Sequence, residues 1–154
     1  GPDEAVTLFC GDGFEYPAVV VAVDRKRVAL HVGEAVAVDR ELGFEMVVAS
    51  AVPKGDRGDY LVEKLTELGA TRFVPLTTVR SVVRPKPEAV PKWERAVVEA
   101  SKQCGRNWLM AVDAPTTWSA FLGRTDLPAT RFVLDTSSAG ATVLATVTAE
   151  SVRA

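Results

Sequence analysis

Residues 54–76, KGDRGDYLVEKLTELGATRFVPL, decide the fold. Asp59 can cap a helix over Tyr60–Leu68, in which Leu61, Leu65 and Leu68 share one face at helical spacing. Gly69 stands where a left-handed glycine closes a helix. The run Arg72–Leu76 that follows is short, apolar and reads as a strand. A helix passing directly into an apolar strand is the repeating unit of an α/β domain with a mostly parallel sheet.

The same alternation continues on both sides. Upstream, Phe44–Ala51 is an apolar strand-like run that stops at Val52-Pro53. Downstream come Thr77–Val83 and a proline-rich linker, Arg84–Pro91. A helix from about Lys92 to Cys104 is then expected to bury Trp93, Val97, Ala100 and Cys104 and to close at Gly105. Leu109–Val112 reads as a strand, Thr117-Trp118 as a helix start, and Arg131–Leu134 as a last strand before Asp135. Ligands of such sheets usually lie beyond the carboxyl ends of the strands. Arg80 and Asp135 both follow strands and so fall on that rim.

Residues 1–45 read differently. Ala5–Phe9 alternates, Cys10-Gly11-Asp12-Gly13 is a turn signal, Tyr16–Val23 is valine-rich, and Val28–Val32 alternates again after a polar turn at Asp24–Arg27. Short strands with tight turns indicate a small barrel or meander, which is marginal alone and leans on its neighbour. The division expected is a β lobe over 1–45 and an α/β unit over 46–154.

Composition narrows the function classes. A 47% apolar and 25% charged chain is an ordinary soluble globular protein. No apolar run approaches the roughly 18 residues needed to span a bilayer. Cys10 and Cys104 are too few for a disulfide framework or a metal cluster, which suits a reducing cytoplasm. The net charge of −2 hides an asymmetry: residues 1–45 hold nine acids and four bases, whereas 46–108 hold eleven bases and seven acids. Cations near the ends of adjacent α/β elements, Arg80 after a strand and Arg106 with Asn107 after a helix, suit a polyanion such as RNA.

KGDRGDYLVEKLTELG at 54–69, VPLTTVRSVV at 74–83 and KWERAVVEASKQCGRN at 92–107 together resemble the 16S ribosomal RNA uracil-N3 methyltransferases of the SPOUT class (RsmE-like). That resemblance implies an N-terminal small PUA-like β-barrel lobe followed by part of a SPOUT (knotted) α/β methyltransferase domain. It further implies S-adenosyl-L-methionine as cofactor, 16S rRNA or the small ribosomal subunit as partner, a homodimer through the knotted domain, and a cytoplasmic location with no membrane or metal. Against the family pattern, the chain lacks the first barrel strand and the Gly-Pro-Glu-Gly-Gly and Leu-Arg-x-Glu-Thr-Ala cofactor segments. The chain alone is therefore expected to be inactive, with catalytic and cofactor-binding residues unassigned. The competing reading is a non-catalytic RNA-binding or ribosome-assembly module without the cofactor site.

Uridine N3 lies on the Watson–Crick edge, so the base must be unpaired or extruded before it can be methylated. Arg80 and Arg106 are candidates for phosphate or base-edge contacts, because guanidinium forks match phosphate. Lys54, Arg57, Lys64 and Asn107 complete the candidate RNA-binding set. Four of them have a plainer alternative. Arg80 could pair with Glu67 or Glu99, Arg106 could favour a helix C-terminal dipole, Lys64 could be a solvated helix residue, and Asn107 could satisfy backbone groups. Trp93, Trp108 and Trp118 are spaced as core or interface anchors more than as a stacking platform.

Overall fold

The computed structural model describes residues 1–134. In the N-terminal sheet, β1 (Ala5–Leu8) and β3 (Val28–Val32) flank β2 (Phe14–Val23), both antiparallel to it. The two-residue β4 (Val36–Ala37) takes up the pairing at Phe14 and Glu15. Among the described residues β1 and β3 each pair with β2 alone. The alternation seen in the sequence sets the faces: Ala18 and Val20 are buried on one side, while Val19 and Val21 remain exposed on the other. A register shift between Val20 and Ala22 bends the hairpin.

The second sheet is parallel. β5 (Val47–Ala51), β6 (Arg72–Thr77) and β7 (Ala111–Val112) lie in that order, and β8 (Thr116–Thr117) pairs with the end of β6. The helices α1 (Arg57–Glu67) and α2 (Val90–Cys104) pack on each other, and α3 (Trp118–Leu122) follows β8. Val48, Phe73 and Val112 are direct neighbours across β5, β6 and β7. With Val62, Leu65, Trp93 and Val97 from the helices and Met110 just before β7, they form the core. The Phe73 and Trp93 rings meet edge to face, centroids 6.2 Å apart. No helix among the described residues is long and apolar enough to cross a membrane.

The alternation of strand and helix is as expected, and several details differ. The first helix begins at Arg57, and its N-cap is Asp56, whose side chain makes no capping bond. Asp59 lies inside the first turn and binds Lys92 at 2.7 Å. Gly58 lets this first turn lie against Val52, which a Cβ would meet at 3.1 Å. The buried stripe is consequently Gly58, Val62, Leu65 and Thr66, with Leu61 only flanking the core. Leu68 sits past the last turn, 67% exposed. Gly69 and Gly105 close their helices with positive φ, as the sequence indicates.

On α2 the buried positions are Trp93, Val97, Ala100 and Ser101. Cys104 is exposed, because the apolar stripe drifts around the helix and the chain turns away at Gly105. The expected strand at Arg131–Leu134 does not form: these residues are exposed and pair with no strand among the described residues. Asp135 lies outside the described residues.

At the bend into β2, the Asp12 carboxylate accepts from the Tyr16 hydroxyl at 2.6 Å and from the Phe14 N–H at 3.0 Å. The phenol bond, then the amide, hold the Asp12 carboxyl below its ordinary range. The same carboxylate pushes Tyr16 up to about 12 from an ordinary 10.0. A phenol raised in the folded state stabilises fully below its unfolded pKa, and that contribution is lost as pH climbs through the folded value. The bend should therefore weaken between about pH 10 and pH 12. Tyrosinate absorbance should show one tyrosine titrating near pH 12, and Asp12→Asn should return it toward pH 10. For the core, Trp93→Ala should cost about 3–5 kcal/mol in urea unfolding, since its indole fills the space over Phe73.

Candidate nucleic-acid interface

The parallel register brings two loops to one edge. Ala51 is level with Leu76 and Leu76 with Thr116, so the segments leaving β5, β6 and β8 start side by side. The β5–α1 loop carries Lys54, and Arg57 opens α1. The segment between β6 and α2 carries Arg80, Arg84 and Lys86. All five cations are exposed, and among the described residues none forms an ion pair. Nearby acids dilute this charge only partly. Asp59 is matched by Lys92, leaving Asp56 and Glu88.

The first turn of the β6–α2 segment is held by its own hydroxyls. Ser81 Oγ accepts from the Thr78 N–H at 2.8 Å, the two hydroxyls lie 3.0 Å apart, and the Ser81 N–H donates to the Thr78 carbonyl. This is a hydroxyl-closed turn of the kind Ser and Thr favour. It presents Arg80 at its tip. Arg80 thus pairs with neither Glu67 nor Glu99, the partners considered from the sequence.

Lys64 is placed apart from this group. It lies about 10 Å along α1 from Arg57, at 1.5 Å per residue. Its ammonium contacts Glu63 at 2.8 Å and Glu67 at 2.7 Å, and sits 5.4 Å from the centre of the Tyr60 ring. The two carboxylates raise its pKa, so it stays charged but locally neutralised.

Arg106 and Asn107 are on the opposite edge of the sheet. Helix α2 starts near the rim and carries the chain about 22 Å away before they occur. Arg106 is 6% exposed. Its Nε donates to Glu41 Oε1 at 2.9 Å and its Nη2 to Glu41 Oε2, while Nη1 donates to the carbonyls of Thr66 at 2.8 Å and Ala70 at 3.0 Å. With those bonds made internally and the head group buried, no fork is left to present to RNA. The dipole it favours is that of α1, whose last carbonyls it caps, and not that of the helix it follows.

Asn107, 1% exposed, donates to the carbonyls of Gly13 at 3.1 Å and Val38 at 2.8 Å. It satisfies backbone groups, the plainer of its two sequence readings. Neither residue reaches the rim, so two of the six RNA candidates are structural.

These bonds belong to a joint that sequence reasoning missed. Arg40 binds Glu15 and donates to the Gly105 carbonyl, and the Gly13 N–H donates to the Asn107 carbonyl. Trp108 lies against Gly11 and Asp12. Gly13 has φ +84, and a Cβ there would come within 2.7 Å of the Trp108 ring, so only glycine fits. The available signal was Arg40-Glu41, a charged pair between two otherwise separate elements.

A family model described as RNA methyltransferase domain matches residues 40–153. Ribosomal RNA small subunit methyltransferase E of Synechocystis is 38% identical over 101 residues, covering 66% of this chain and 33% of that protein. The Bacillus subtilis protein of the same name is 36% identical over 100 residues, covering 62% and 39%. Among solved structures, ribosomal RNA small subunit methyltransferase E from Neisseria gonorrhoeae, bound to S-adenosyl methionine, aligns with a TM-score of 0.76 and 26% identity, over 84% of this chain and 53% of that one. A Legionella pneumophila protein in complex with the bound cofactor SAM aligns with a TM-score of 0.73 and 31% identity, over 79% and 52%. The chain thus spans about a third to two-fifths of the curated relatives' length.

Removing Arg106 should leave the Glu41 carboxylate buried without its partner. Arg106→Ala is expected to cost about 3–5 kcal/mol, and Glu41→Gln/Arg106→Met distinctly less than the sum of its single changes. Urea midpoints for the unaltered chain and these four variants check both statements.

Proposed function

We propose, for a chain that belongs to the RNA methyltransferase domain family, that it is the RNA-holding part of an enzyme methylating N3 of a uridine in small-subunit ribosomal RNA. The observation that carries this reading is the rim of Lys54, Arg57, Arg80, Arg84 and Lys86, exposed and unpaired at the carboxyl edge of the parallel sheet. Cations without carboxylate partners keep their charge available for phosphates. Guanidiniums at Arg57, Arg80 and Arg84 can each take two phosphate oxygens, and the lysines act as point charges. Lys64, already matched by two carboxylates, contributes less.

S-adenosylmethionine is the cofactor of this reading. It carries a sulfonium cation, for which five unpaired Lys and Arg side chains are a poor seat. The donor set at the rim fits RNA phosphates and does not fit that cofactor, whose site we assign to other parts of the protein. Pairing of two copies through a knotted domain, and work in the cytoplasm where ribosomes assemble, belong to the same reading.

Binding of a single-stranded small-subunit rRNA oligonucleotide, followed by fluorescence anisotropy across a salt series, tests it. Each phosphate contact on single-stranded nucleic acid contributes about 0.7 to the slope of log affinity against log salt. Arg80→Gln/Arg84→Gln should therefore reduce the slope by about 1.4. A salt-independent or negligible affinity of the unaltered chain would sink the RNA reading. Because the cofactor's site is assigned to other parts of the protein, methyl-labelled S-adenosylmethionine has to be offered to the whole enzyme: labelled RNA supports the enzyme, and unlabelled RNA a module that only binds.

A further inference from the structure

The turn that presents Arg80 also presents two valines with nothing over them. Val79 is 100% exposed and Val82 84% exposed, the former more than any other large apolar residue among those described. They flank Arg80 and Ser81 in a turn tied by the Thr78 and Ser81 hydroxyls, so their position is set before any ligand arrives. Leaving a valine wholly in water forgoes the hydrophobic stabilisation that its burial would contribute. The surrounding charge shows what kind of surface they meet. Arg80, Arg84, Lys54, Arg57 and Lys86 are unpaired among the described residues, which favours a polyanion over an apolar protein face.

A polyanion with apolar surface to offer is a nucleic acid whose bases are unstacked. Base faces are covered in a duplex, and the edges shown in its shallow groove are polar; in a single-stranded loop the flat faces are open. Apolar side chains inserted beside bases are a known way of holding unstacked steps. We infer that Val79 and Val82 pack against the faces of unstacked bases, so that the 78–84 turn selects single-stranded over duplex RNA while the cations beside it bind phosphates of either. This rests on the RNA reading above and adds to it the form of RNA and the residues that choose it.

The test uses the 154-residue chain with two probes of equal length, an oligouridine strand and a blunt RNA duplex, in a salt series. Val79→Ser/Val82→Ser should lower affinity for oligouridine about tenfold and leave duplex affinity and both salt slopes unchanged. Arg80→Gln/Arg84→Gln should instead lower the salt slopes for both probes. Two outcomes overturn the inference: the serine variant binding both probes as the unaltered chain does, or losing affinity for both equally. A salt-dependent unaltered chain with either result leaves the RNA reading standing, whereas no salt-dependent binding of the unaltered chain defeats both. Both valines are on the surface, and unchanged urea midpoints confirm that the variant is folded.

Discussion

The contact on which most of the molecule depends is the guanidinium of Arg106 held between the Glu41 carboxylate and the carbonyls of Thr66 and Ala70. It joins three segments distant in sequence: the strap leading out of the first sheet, the end of α1, and the turn after α2. Burying a charge is costly unless it is paired and hydrogen-bonded, and here the planar fork meets a carboxylate and two carbonyls together. Lysine could not make this set of bonds, because its ammonium lacks the fork. Once Arg106 is placed, Asn107 has nowhere to go but the interval between the two sheets. There its amide binds Gly13 and Val38.

Several cations at the amino edge of the parallel sheet and on the helices are matched: Arg106 by Glu41, Arg40 by Glu15, Lys64 by Glu63 and Glu67, and Arg72 by Asp126, whereas Arg95 on α2 has no ion pair among the described residues. At the carboxyl edge five are unmatched. Repulsion among them works against folding, and the ion pairs elsewhere do not relieve it. A surface kept in that state is tolerated where function needs it, and the edge concerned is the one where α/β sheets place their ligands.

Much of the architecture was legible in the residues. Val28–Val32 and Arg72–Leu76 were readable as strands because alternation and apolar runs act over a few positions, and Gly69 and Gly105 as helix ends because left-handed backbone favours glycine. Leu68 and Cys104 misled because each continues a helical stripe that the chain abandons one residue later. At the candidate site, Lys54, Arg57 and Arg80 could be placed because each directly follows a strand or opens a helix at the same edge. Arg106 and Asn107 could not. Their surroundings come from residues 36 to 94 positions away, which no local pattern contains.

By itself, the sequence determined the alternating strands and helices, the direction of the sheet and the place of its basic loops, since these follow from periodicity, turn chemistry and order along the chain. Only the tertiary structure decided which cations are free. Charge is written at each position, but pairing depends on what lies within a few ångströms, and distance in space is set by packing. Arg80 and Arg106 look alike as letters after an element end; one stands in water at the tip of a turn, and the other is enclosed by Glu41, Thr66 and Ala70.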